Sequence, residues 1–130
     1  IARARSRPLD PPGGPRMTSA NTLPTVAVVS VTYNRCEPLL VLLRQLGALD
    51  YDLAQLDIYL VDNASTDGTA ARVRAEFPHV HLIESAENTG VAAGFNHSVE
   101  AALAGARPYR YLWLLDSDAE VEPATLMRMV

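Results

Sequence analysis

Four short apolar runs, each followed by a stretch of helical period, alternate strictly along residues 26–130, and nothing else in the sequence narrows the fold as far. Residues 26–31 (VAVVSV) form a nearly continuous β-branched run, the pattern of a strand buried on both faces. Residues 37–49 put Leu39, Leu40, Leu42, Leu43 and Leu46 at helical spacing, with Pro38 in the first turn, where proline is tolerated. The pairing returns as strand 57–61 with helix 69–77 stopped by Pro78, and as strand 80–84 with helix 91–104 closed by Gly105. It returns once more as strand 111–115 with a helix from 123 onward. This rhythm specifies an α/β fold, a Rossmann-like open parallel sheet with helices on both faces. Right-handed crossovers leave few ways to wind it. The last helical pattern reaches Met129 and Val130 without a cap or breaker, so the sheet is expected to be incomplete at the C-terminus. Such a sheet leaves an unpaired edge and is expected to be marginally stable.

Residues 1–23 carry Pro, Gly and Arg without periodicity and read as a disordered tail or a non-native extension, with Met17 as an alternative start. Residues 24–130 read as the folded piece. The net charge of −4 is uneven: residues 1–16 balance at +3 and the remainder at −7. A folded part this acidic excludes a nucleic-acid grip, which needs clustered basic side chains. A phosphorylated ligand would have to be neutralised by a divalent cation or by helix N-termini. The single Cys36 excludes an internal disulfide and a cysteine-built zinc site. No apolar run approaches the roughly 20 residues that span a bilayer, and no signal-peptide pattern opens the chain. The expected location is the cytoplasm, with peripheral association at the inner face of the membrane as a variant.

In an open parallel sheet, ligands bind beyond the carboxyl ends of the strands. The first strand is followed by Thr32-Tyr33-Asn34-Arg35 and the second by Asp62-Asn63-Ala64-Ser65-Thr66-Asp67-Gly68. The third precedes Glu87-Asn88-Thr89-Gly90, and the fourth ends in Asp116-Ser117-Asp118. Polar and acidic residues thus collect along one edge of the sheet.

Asp116 and Asp118, at i and i+2 of an extended chain, would point the same way with Cα atoms about 6.5–7 Å apart. Two such carboxylates suit Mn²⁺ or Mg²⁺, which prefer oxygen ligands and keep phosphates and water in their shell. The competing reading is a solvated turn leading into the next helix. Asp62 is placed to accept bonds from a ribose or base, or else to bond its own backbone as Asx turns do. Tyr33 can stack on a base and Arg35 can meet phosphate; alternatively Tyr33 packs on the sheet and Arg35 is solvated. Gly90 permits close backbone approach at a helix N-terminus that offers free N–H groups. Gly94 and Asn96 read equally well as a helix–sheet contact and a satisfied polar residue. Ser65, Asp67 and Thr69 read as turn-shaping and capping residues. Arg74 stands where a calcium loop would need its closing Glu, which rejects calcium. His79, His81, His97 and Cys36 have no activating or ligating partner evident in the sequence.

Taken in order, VSVTYNR at 29–35, VDNASTDGT at 61–69, NTGVAAGFN at 88–96 and LLDSDAEVEP at 114–123 resemble the N-terminal half of family 2 glycosyltransferases with the GT-A fold. The resemblance spans about residues 25–130, and the four motifs are specific jointly rather than singly. It implies a nucleotide-diphosphate sugar donor (UDP- or dTDP-linked), Mn²⁺ or Mg²⁺, and inverting transfer to the hydroxyl of a carbohydrate or glycolipid acceptor in cell-wall or polysaccharide biosynthesis. By position it implies donor contacts from Thr32, Tyr33, Asn34, Arg35, Asp62, Asn63, Asn88, Gly90, Asn96 and Asp116, and metal coordination by Asp118 and Asp116. Many members carry Arg directly before the Asn of the third motif; here that residue is Phe95, as in rhamnosyl- and galactofuranosyltransferase-like members. Members also carry an acidic general base well downstream of the Asp-x-Asp, so the base is expected beyond Val130. The alternatives are a non-catalytic nucleotide-sugar-binding module and a dinucleotide-dependent oxidoreductase. The missing Gly-x-Gly-x-x-Gly turn after the first strand argues against the latter.

Overall fold

The computed structural model describes residues 22–105 and 107–130. Four strands, β1 (Val26–Thr32), β2 (Leu56–Asp62), β3 (His81–Glu84) and β4 (Tyr111–Leu114), alternate with four helices. These are α1 (Cys36–Gly47), α2 (Thr69–Glu76), α3 (Val91–Leu103) and α4 (Thr125–Met129). All strand pairs are parallel, in the order β3-β2-β1-β4. The 3₁₀ turn Leu53–Gln55 was not anticipated, because it has no hydrophobic period of its own and depends on Asp52, whose Oδ1 accepts from the Ala54 N–H at 3.0 Å. The final helix starts at Thr125, two residues later than the pattern suggested. Most of the tail expected at 1–23 lies outside the described residues. Leu23 packs against the core, and its carbonyl accepts from Gln55 Nε2 at 2.6 Å.

Strand alternation divides the core into two layers. Val26, Val28, Leu56, Ile58, Leu60, Tyr111 and Trp113 face the α1 side, where they meet the five buried leucines of α1, Val73 of α2 and Leu126 of α4. Ala27, Val29 and Tyr59 face the other side and pack on Ala102, Phe95 and Val99 of α3. Full burial of each leucine contributes on the order of 1.5–3 kcal/mol, so α1 is the main anchor of its layer. On the opposite face, α3 sits close because Gly94 has no side chain: a Cβ there would lie 2.6 Å from a Val31 methyl.

At the amino-terminal edge, Asp57 accepts bonds from Arg107 Nε at 3.0 Å and from the Tyr109 hydroxyl at 2.5 Å. Burial, followed by the bond to Asp57, pushes the Tyr109 hydroxyl far above its usual range. This cluster fastens the α3–β4 connection to β2, far from the loops that carry the candidate chemistry.

Candidate functional site

The chain runs outward from β1 through β2 to β3, then returns across the sheet to place β4 on the other side of β1. The loops after β1 and β4 therefore diverge, and a crevice opens between them. A cleft of about 460 Å³ lies there, within the range of small-molecule sites. Thr32, Tyr33 and Arg35 line it from the first loop, Asn63 from the second, and Asn88 and Gly90 from the third. Asp116, Ser117 and Asp118 line it from the fourth, and Val31, Val91 and Phe95 form its apolar wall.

Each loop is held by a side chain from its neighbour. Asn34 adopts φ 48°, and its Oδ1 accepts from the Thr66 N–H at 2.7 Å while its own N–H donates to Ser65 Oγ at 2.9 Å. Asp67 Oδ2 accepts from the Cys36 N–H at 3.2 Å, capping α1, whose preceding Arg35 makes no side-chain cap. A bond from the Thr69 hydroxyl, supplemented by the Cys36 and Thr69 N–H groups, holds the Asp67 carboxyl below its usual range despite the opposing effect of burial. Asn63 is buried; its Nδ2 donates to the Gly90 carbonyl at 3.0 Å and its Oδ1 accepts from the Thr89 N–H at 3.2 Å. Asn88 Oδ1 accepts from the Gly90 N–H at 2.9 Å, shaping the turn into α3, where Gly90 takes φ 91°. The first and fourth loops meet through Arg35 Nη1 and Asp118 Oδ2, 3.2 Å apart.

Three residues expected at the ligand lie outside the lining. Asp62 continues the Leu56, Ile58 and Leu60 face of β2, so alternation turns it toward the α1 side while Asn63 faces the cleft. Its Oδ1 accepts from the Ser65 N–H at 3.1 Å, the Asx-turn alternative. Asn34 is spent on the second loop. Asn96 is exposed on α3, one position past Phe95; helical period rotates it off the wall that Val91 and Phe95 share at i and i+4. Val31, Val91, Phe95 and Ser117 were missed as lining residues, although the i, i+4 apolar pair was readable. The extended geometry assumed for Asp116 and Asp118 is also corrected: the Ala119 N–H donates to the Asp116 carbonyl at 3.0 Å, so Ser117 and Asp118 occupy a turn. Both aspartates nonetheless line the cleft.

Thr32 is 1% exposed, and its hydroxyl lacks a hydrogen-bond partner among the described residues. A buried hydroxyl in a cleft wall costs free energy unless something bonds it. Among the described residues no group of three or more His, Cys, Asp and Glu side chains converges. The donor set available to a cation is therefore the oxygens of Asp116 and Asp118. That set suits a hard ion that draws its remaining ligands from phosphate and water.

The strand-order reversal and the polar cleft above it define a doubly wound α/β domain of the ligand-binding kind. The sequence model described as "Glycosyl transferase family 2" matches residues 27–130, and the chain belongs to that family. It is 31% identical over 109 residues to "Succinoglycan biosynthesis protein ExoO" of Rhizobium meliloti (strain 1021), covering 83% of this chain and 29% of that protein. It superposes with TM-score 0.70 and 28% identity on the mannosyltransferase PcManGT from Pyrobaculum calidifontis in complex with GDP-Man and Mn²⁺, over 82% of this chain and 31% of that one. A structure of S. aureus TarS in complex with UDP gives TM-score 0.69 at 23% identity, over 80% and 30%. The GT-A-type open sheet is thus the fold expected from the motifs. The chain spans less than a third of the length of each of these relatives. No described helix is long and apolar enough to cross a membrane.

Proposed function

We propose that this chain is the donor-binding half of a metal-dependent, inverting glycosyltransferase that passes a sugar from a nucleoside diphosphate to the hydroxyl of a carbohydrate or glycolipid acceptor. One observation carries the reading: the reversal of strand order brings Thr32, Tyr33 and Arg35 of the first loop to the same cleft as Asp116 and Asp118 of the fourth. Thr32 and Tyr33 then receive the base, the half-exposed Tyr33 ring offering a stacking face. The first turn of α3, opened by Gly90, offers N–H groups to phosphate. Asp116 and Asp118 hold Mn²⁺ or Mg²⁺, which when bound stabilises charge on the departing diphosphate. The donor is read as UDP- or dTDP-linked, with GDP-linked sugars as the competitor suggested by the mannosyltransferase neighbour. Besides Asp116 and Asp118, the cleft lining holds no carboxylate or histidine, so no general base is assigned among the described residues.

Calorimetric titration with UDP-, dTDP- and GDP-sugars tests the proposal. Binding is expected only with Mn²⁺ or Mg²⁺ present, and Asp118→Ala is expected to remove the metal requirement together with most of the affinity. Tight binding without metal that survives Asp118→Ala overturns it. Binding of NAD in place of nucleotide sugars would favour an oxidoreductase.

A further inference from the structure

Five of the six ion pairs of the described residues lie away from the cleft: Arg44–Glu76, Arg72–Glu37, Arg72–Glu76 and Arg74–Glu84 brace outer surfaces, and Arg107–Asp57 closes the opposite edge. Arg35–Asp118 alone joins two residues of the cleft lining. The placement follows from Asn34. Its left-handed backbone and its bonds to the second loop turn that residue away, and leave Tyr33 and Arg35 on the cleft at either side of it. Asp118 is the only hydrogen-bond partner of the Arg35 guanidinium among the described residues. The two side chains are 59% and 52% exposed. A pair this wet holds by no more than about fivefold in an equilibrium constant, so an incoming ion can separate it.

We propose that Arg35 is a displaceable counter-ion for Asp118. While the cleft is empty its guanidinium neutralises the carboxylate; when a divalent cation takes Asp118, the guanidinium passes to the diphosphate that accompanies the cation. The inference rests on the donor-site reading above and adds how metal and nucleotide are coupled. The planar fork of arginine bonds phosphate oxygens as well as carboxylate oxygens, so the exchange conserves charge-assisted bonds. A cation arriving alone must expel Arg35 with no new partner for it. A cation arriving with diphosphate supplies that partner. Metal and nucleotide therefore bind cooperatively, each raising the affinity of the other by the same factor.

The full chain is compared with Arg35→Gln, Arg35→Lys and Arg44→Gln, the last removing the same charge outside the cleft. Mn²⁺ binding is read by electron paramagnetic resonance without nucleotide, and UDP and GDP are then titrated with and without Mn²⁺. Arg35→Gln is expected to bind Mn²⁺ alone about three- to fivefold more tightly, yet to bind UDP or GDP with Mn²⁺ about tenfold more weakly. Arg35→Lys is expected between it and the wild type, and Arg44→Gln at the wild-type values. Mn²⁺ affinity that is unchanged, reduced or undetectable in Arg35→Gln overturns the proposal, as does equal tightening by Arg44→Gln. If neither nucleotide binds the wild type with Mn²⁺ present, the donor-site reading fails instead, and the Mn²⁺-only comparison still reports whether Arg35 competes for Asp118.

Discussion

Asn63 holds Gly90 across two loops, its Nδ2 donating to the Gly90 carbonyl at 3.0 Å while its Oδ1 accepts from the neighbouring Thr89 N–H. One buried carboxamide thus sets the backbone that opens α3 toward the cleft. Asn63→Ala leaves the Thr89 N–H without its partner, while the Gly90 carbonyl keeps its bond from the Gly94 N–H at 3.0 Å, and is expected to cost about 1–3 kcal/mol. Urea unfolding measures the loss. Asn63→Asp should cost more at neutral pH, because a carboxylate then faces the Gly90 carbonyl, and less in acid, where it protonates and regains a donor. An Asn63→Asp midpoint independent of pH would contradict this geometry.

Thr32→Val separates stability from binding. The substitution removes a buried hydroxyl that has no hydrogen-bond partner among the described residues, so thermal stability without ligand is expected to hold or rise by up to about 1 kcal/mol. Nucleotide binding should weaken about five- to tenfold, the equivalent of one hydrogen bond. Equal loss of stability and affinity would mean that the hydroxyl has a structural partner.

Gly94→Ala reverses the usual helix rule. In an open helix interior the change gains about 1 kcal/mol, but here the new Cβ would meet a Val31 methyl at 2.6 Å. Val31 is β-branched and sits in a buried strand, so it has little room to yield. A net loss of about 1–3 kcal/mol is expected, with partial recovery in the Gly94→Ala, Val31→Ala pair. Chemical unfolding of the two single variants and the pair gives the coupling.

Asp67 should make stability fall in acid. Its folded pKa lies below its unfolded value, chiefly through the Thr69 hydroxyl. The contribution is therefore fully present above the unfolded value, near pH 4, and disappears as pH falls through the folded value. The side chain is exposed, so the effect is modest. The urea midpoints of wild type and Asp67→Asn should differ at pH 7 and converge as the solution is acidified toward pH 2. A gap that persists in acid would locate the stabilisation elsewhere.

The layered fold was legible because its signals are local. The β-branched run at 26–31 and the leucines from Leu39 to Leu46 declare their period within one element, and a parallel sheet is the arrangement that lets all of them bury. Gly, Asn and Asp at 62–68 and 88–90 marked the loops by the backbone conformations they permit. On the same grounds the edge of the sheet that carries the polar loops could be read before any coordinates.

What only the tertiary structure decided is which of those polar side chains turn inward. Asp62 and Asn63 are adjacent and chemically alike, yet strand alternation sends one toward α1 and the other into the cleft, and a bond from Ser65 fixes the first there. Asn34 bonds Thr66, 32 positions away, through its carbonyl oxygen, a contact that no local pattern announces. Asp118 meets Arg35 across 83 positions because the sheet order, absent from any local pattern, places β4 beside β1. Local period determines what forms; hydrogen bonds between distant loops determine where each functional group points.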